Sequence, residues 1–162
     1  MKKLLLIPLF FCLSFTAQSQ DFGSAIGARL GYPLSASYKF FVSESSAIEA
    51  IVGYRWFLGY SYLTLGGAYQ IHKDIDSVEG LQWYFGGGAS AQLYSGSLIE
   101  SSVGIGVQGY IGLSYTFDEL PINLSVDWVP SINIGGYSGI SRFGGSNGAL
   151  AIRYILGRKD NS

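Results

Sequence analysis

Six charged residues sit on the polar faces of segments that are otherwise alternately apolar and small: Arg29, Lys39, Glu49, Arg55, Asp127 and Arg153. If those segments close on one another, the charges are buried, and buried charges must be paired and hydrogen-bonded. Lys39 and Glu49 flank the turn at 43–46 symmetrically, which predicts that they face each other across a hairpin. Asp127 and Arg153 flank the stretch 135–146 in a similar way and are expected to form a second pair. Arg29 lies on the first segment, which closes against the last, and is expected to join them. Arg55 falls near the far rim. Such a set has two uses. One is architectural, an ion-pair network that plugs a lumen and fixes register. The other is a gated ion path through rearranged pairs.

Other chemistry finds little support. His72 is the single histidine. A hydrolytic triad needs a nucleophile and an orienting acid within hydrogen-bond reach of it, and its neighbours Lys73, Asp74 and Asp76 read instead as an interfacial turn. A lone histidine and no second cysteine leave no transition-metal set, so no catalytic, cofactor or metal residues are expected. The runs Gly86–Gly88 and Gly104–Gly106 lie inside strand patterns rather than between a strand and a helix, so they lack the geometry that cradles phosphate. With only ten Lys and Arg in the chain, no basic patch is available for nucleic acid.

The elements that must position these residues are strands. In "VGIGVQGYIGLSYTF", residues 103–117, every second residue is apolar or glycine, a period of two that gives a strand two unlike faces. Eight such segments follow one another, at about 22–32, 34–42, 47–56, 60–72, 81–93, 103–117, 122–133 and 147–156. No helical period interrupts them. Acidic turn residues gather in the connections 43–46, 73–80 and 118–121. The connections 56–60, 94–102 and 135–146 are richer in Gly, Ser and aromatics, and with the corner at Tyr32–Pro33 they would lie at the opposite, outer end.

The segment 1–19 precedes all of this. Lys2 and Lys3 form a positive region, residues 4–15 an apolar one, and Ala17 and Ser19 suit a cleavage site, so the stretch reads as a secretory signal peptide. The only cysteine, Cys12, lies within it, which leaves residues 20–157 without a thiol or disulfide. Residues 158–162 read as a polar tail.

Alternation alone does not say which face points inward, but composition does. Charged residues make up 13% of the chain, about half the share usual in soluble domains. The apolar face runs on through Leu63, Leu65, Tyr69 and Ile71, then Leu81, Trp83 and Phe85, then Ile122, Leu124, Val126 and Trp128. In water that face would form apolar patches far beyond those soluble monomers tolerate; in lipid it costs nothing. Small residues on the other face suit the crowded lumen of an eight-stranded barrel. Tyr32, Trp56, Tyr60, Tyr62, Trp83, Tyr94, Tyr115, Phe117 and Tyr154 fall near strand ends, where rings form interfacial girdles. The expected fold is all-β, an eight-stranded antiparallel up-and-down transmembrane β-barrel spanning 20–157.

The fragments "AIGARLGYPL" (25–34), "AIEAIVGYRW" (47–56), "GLQWYFGGGA" (80–89) and "LSVDWVPSINI" (124–134) carry a resemblance across the whole mature chain. It resembles the small eight-stranded outer-membrane barrels of Gram-negative bacteria, the OmpA/OmpX-like type, and short "outer membrane protein β-barrel" chains. The resemblance implies export through the periplasm to the outer membrane, lipid as the main contact, help from the barrel-assembly machinery, and a monomer. One departure is the ending "IRYILGRKDNS", where Tyr154 stands short of the end rather than closing the chain. The functional expectation is a non-enzymatic membrane protein with a filled lumen and a structural or surface-contact role, with Tyr60, Tyr94, Tyr137, Ile140 and Phe143 as loop contacts. The alternatives are a narrow channel or conduit for small apolar molecules, a lipid-modifying enzyme using His72, and a soluble lipocalin-like carrier.

Overall fold

The computed structural model describes residues 23–31, 33–97, 100–135, 142–145 and 147–157. The segment 1–19 expected to be a signal peptide, with Cys12, the expected tail 158–162, and Tyr32, Tyr137 and Ile140 lie outside the described residues.

Among the described residues ten strands form one antiparallel sheet: β1 (Ser24–Gly31), β2 (Leu34–Phe41), β3 (Ser46–Phe57), β4 (Tyr60–Asp74), β5 (Leu81–Ser95), β6 (Ser102–Thr116), β7 (Ile122–Trp128), β8 (Ser131–Gly135), β9 (Arg142–Gly144) and β10 (Gly148–Gly157). Each wall strand pairs with its neighbour, β5 with β6 included, and β1 pairs with β10, so the sheet closes on itself. The result is an all-β, closed eight-stranded antiparallel barrel, with no helix among the described residues. Closure leaves no long open edge.

The seventh wall strand differs from the expected plain segment, and a short extra strand precedes the eighth. The seventh is interrupted at Val129–Pro130 and resumes as β8. Proline lacks the N–H that a ladder needs on one side. Its carbonyl still accepts from the Gly109 N–H at 2.9 Å, and β7 and β8 keep one register against β6, from Ile111↔Trp128 to Gln108↔Ser131. The eighth wall strand is β10, with the short β9 above it paired to β8, inside the stretch 135–146 expected to be a connection.

The connections 42–45, 75–80 and 117–121 lie together at one end, here the turn end, and the others at the loop end. Gly80 makes the second turn possible: its φ of +76° is open to glycine and strained for other residues, and its carbonyl accepts from the Thr116 N–H at 2.9 Å.

Polarity is inverted relative to a soluble domain. Val103, Ile105, Val107, Ile111 and Leu113 of β6 all point outward and are exposed, as are Leu65, Tyr69, Leu93, Val126, Leu150 and Ile152 on other strands. The intervening residues point inward, and the side chains buried there are mostly polar, from Arg29 and Lys39 to Asn123 and Arg153. Outward rings lie toward both ends: at the turn end Trp83 stacks on Phe85 at 5.4 Å and Tyr115 meets Phe117 edge-on at 4.8 Å, and toward the loop end Tyr54 and Trp56 of β3 are exposed. Tyr62 and Tyr94 correct the expected girdle. They share the inward parity of β4 and β5, and their rings lie 5.1 Å apart on the lumen side.

Candidate functional site

The lumen is layered. At the turn end, Ala25 and Ile155 pack with Phe41 as a small apolar floor. His72 lies beside it, 2% exposed, stacked on Tyr84 at 4.8 Å and edge-on to Phe41 at 5.0 Å. This overturns the expectation of an interfacial turn residue. Position 72 has the even, inward parity of β4, and β4 runs two residues beyond it. Neither ring nitrogen of His72 makes a hydrogen bond to a hydroxyl or carboxylate.

Above this floor lies the ionic layer, and Glu49 is its centre. It accepts from Arg153 Nη2, from Arg29 Nη1 at 3.1 Å and from Gln70 Nε2 at 2.8 Å, and Lys39 Nζ stands 3.6 Å away. Asp127 accepts from Arg29 Nη2 at 2.8 and 2.9 Å and from the Tyr84 hydroxyl at 2.6 Å. Arg153 spends its other donors on hydroxyls, with Nε to Ser37 Oγ at 3.1 Å and Nη1 to Ser125 Oγ at 2.7 Å. Lys39 Nζ also lies over the Tyr84 ring, 4.6 Å from its centre. The strands β1, β2, β3, β7 and β10 each supply one charge, so the layer ties together opposite walls of the barrel.

Five of the six charges singled out from the sequence therefore meet. Lys39 and Glu49 are direct register partners across β2 and β3. Asp127 and Arg153 are not: Asp127 faces Ala149, and Arg153 faces Asn123. The hairpin of β7 and β10 is centred at about residue 138, two residues short of the midpoint between Asp127 and Arg153. Arg29 takes Asp127 instead, and Arg153 reaches across the lumen to Glu49. Arg55 stands opposite Tyr62, six residues above Glu49 on the same face, roughly 20 Å along the strand and clear of the ionic layer.

Tyr84 is a functional residue that carries no charge to mark it in the sequence, although its parity with Gln82 marks it as inward. Its reach depends on Gly112, which is the register partner of both Tyr84 and Asp127. A methyl group at 112 would stand 2.8 Å from Asp127 Cβ and 2.9 Å from Tyr84 Cζ. Glycine leaves the gap through which the phenol crosses β6 to the carboxylate.

The top layer is hydroxyl and amide. Gln92 Nε2 donates to Asn133 Oδ1 at 3.0 Å, Gln108 Nε2 to Ser90 Oγ at 2.9 Å, and the Tyr110 hydroxyl to Gln108 Oε1 at 3.1 Å. Of these, Ser90, Gln108 and Tyr110 border a cavity of about 80 Å³ whose floor is Arg29. No group of three or more His, Cys, Asp or Glu among the described residues is placed to hold a metal. Comparison with family models, with curated proteins and with solved structures finds no match.

Proposed function

We propose that this chain is a non-enzymatic integral outer-membrane β-barrel protein whose side-chain-filled lumen serves stability and whose loop end serves surface contact. The observation that carries the reading is the inverted polarity: residues as apolar as Val103, Ile105 and Val107, each about three-fifths exposed, cover the outside while five charges are buried inside. Lipid is the solvent that makes this arrangement favourable. β4, β5 and β6 have 15 residues each, ample for the ~9–11 that a tilted strand needs to cross a bilayer. Lys73, with Nζ 5.7 Å from the Trp83 ring centre, suits the boundary of the apolar band at the turn end. The reading agrees with the resemblance to small OmpA/OmpX-like barrels, with secretion through the signal segment, and with a monomer assembled by the barrel-assembly machinery.

The ionic layer favours a plugged lumen over the channel alternative, since Arg29, Lys39, Arg153, Glu49 and Asp127 all occupy the axis with paired charges. His72, packed between Tyr84 and Phe41, serves the filling of that lumen rather than lipid modification.

The test is membrane fractionation of the expressed full chain, followed by gel mobility with and without boiling. Recovery in the outer membrane with a boiling-dependent shift is the expected outcome. Recovery from the soluble fraction without detergent would overturn the reading and favour a carrier.

A further inference from the structure

The ionic layer holds three cations, Arg29, Lys39 and Arg153, against two carboxylates, Glu49 and Asp127. The cavity above it has Arg29 as its floor and no Asp or Glu among the described residues that line it. A positive excess under a low-dielectric cup raises the local concentration of anions.

The hydroxyls of the cup point to the same class of ligand. Ser131 Oγ accepts from Asn147 Nδ2 at 3.0 Å and from Asn133 Nδ2 at 3.2 Å, which fills its two lone pairs and leaves its proton to donate elsewhere. Ser90 Oγ accepts from Gln108 Nε2 and likewise retains its proton. Thr64, only 6% exposed, also lines the cavity, but its hydroxyl oxygen is closed off from it. The spare protons of Ser90 and Ser131, from β5 and β8, border the one space. Ile51 and Val129 supply an apolar side to it.

We propose that this cavity is a binding site for a small singly charged carboxylate with a short alkyl tail. The carboxylate takes the spare protons of Ser90 and Ser131 above the Arg29 guanidinium, and the tail lies against Ile51 and Val129. One negative charge offsets the positive excess of the layer beneath. About 80 Å³ accommodates a ligand of two or three carbons and excludes a bulky one. The site does not depend on the membrane reading, since it is built from the lumen alone.

The test uses the full barrel refolded in detergent, with folding checked by gel mobility, and methyl NMR of Thr64 and Ile51 during titration with acetate. Acetamide, a neutral molecule of similar shape, is titrated in parallel. The expected result is a saturable shift at both methyls with acetate, at least tenfold weaker with acetamide. Ser131→Ala, which keeps both reporters, is expected to weaken acetate about tenfold, the loss appropriate to one hydrogen bond to a charged group. Equal affinity for acetate and acetamide, an unsaturable response, or unchanged affinity in a folded Ser131→Ala protein would each overturn the proposal.

Discussion

Glu49 and Asp127 hold the same kind of charge in the same layer, yet they differ in consequence. Glu49 answers Arg29, Arg153, Lys39 and Gln70. Asp127 answers Arg29 and Tyr84, and when it is removed Arg29 still has Glu49. Breaking a buried pair from one side leaves the other charge uncompensated, at about 3–5 kcal/mol. Glu49→Ala is therefore expected to lose about that much in urea unfolding of the refolded barrel, and Asp127→Ala measurably less. Tyr84→Phe removes one hydrogen bond to a charged acceptor and is expected to cost about 1.5–3 kcal/mol in the same assay. A ranking with Asp127→Ala as the most damaging would refute this account of the layer. At this scale the sequence made the charges legible, because charge on a small-residue face is conspicuous. It also made Lys39 and Glu49 legible as partners, because a tight turn leaves little freedom of register. It did not make the partners of Arg153 legible, because those are set by distance across the lumen, which no local spacing encodes.

The strands themselves were read almost in full from alternation, since a face in contact with one medium along its whole length imposes a strict period of two. The interruption at Val129–Pro130 and the small β9 escaped, for two reasons: proline can sit in a wall strand without breaking its register, and three residues are too few to show a period. Glycines within strands were legible as sites of close packing but not individually. Gly112 and Gly67 separate the two cases. Alanine at 112 meets Asp127 and Tyr84, and it is expected to lower the unfolding midpoint and to lose the Tyr84–Asp127 contact. A methyl at Gly67 meets nothing within 4 Å on the outer face, so Gly67→Ala is expected to be neutral or to stabilise by up to about 1 kcal/mol through reduced backbone entropy of the unfolded chain. Thermal unfolding of the two single variants side by side decides it, and equal effects would mean that close approach across β6 is not what position 112 requires.

For the molecule as a whole, the layer sequence of apolar floor, ionic middle and hydroxyl cup sets what the lumen does. Ion flow would require parting Arg29 from Asp127 and Arg153 from Glu49 together, and the wild-type protein in a planar bilayer is expected to be electrically silent. Asp127→Ala is expected to destabilise the barrel more than it opens it. A new large conductance with unchanged heat-modifiable migration would contradict that expectation. The fold class followed from composition and period, because an apolar exterior cannot be hidden in a sequence of alternating strands. The cup did not, since its donors come from β5 and β8 and meet only when the wall is curved and closed.

The seam where β1 meets β10 has a bearing on how the chain reaches this state. Ala25 and Ile155 meet there although they come from opposite ends of the barrel sequence, while the hairpins from β2 to β6 pair neighbours. Hairpins form early and cheaply, whereas joining distant strands adds a loop-closure cost that grows only logarithmically with length. Closing the seam is thus the natural last step. The two longest-range ion pairs straddle it, Arg29 with Asp127 across 98 residues and Arg153 with Glu49 across 104. Neither is satisfied in a curled but unjoined sheet, and a seam joined one residue out of step would set the faces of β1 and β10 at odds, so that Arg29 and Arg153 could not both face the lumen. The ionic layer therefore works as a proofreading latch, one that holds only when the last strand docks in the correct register.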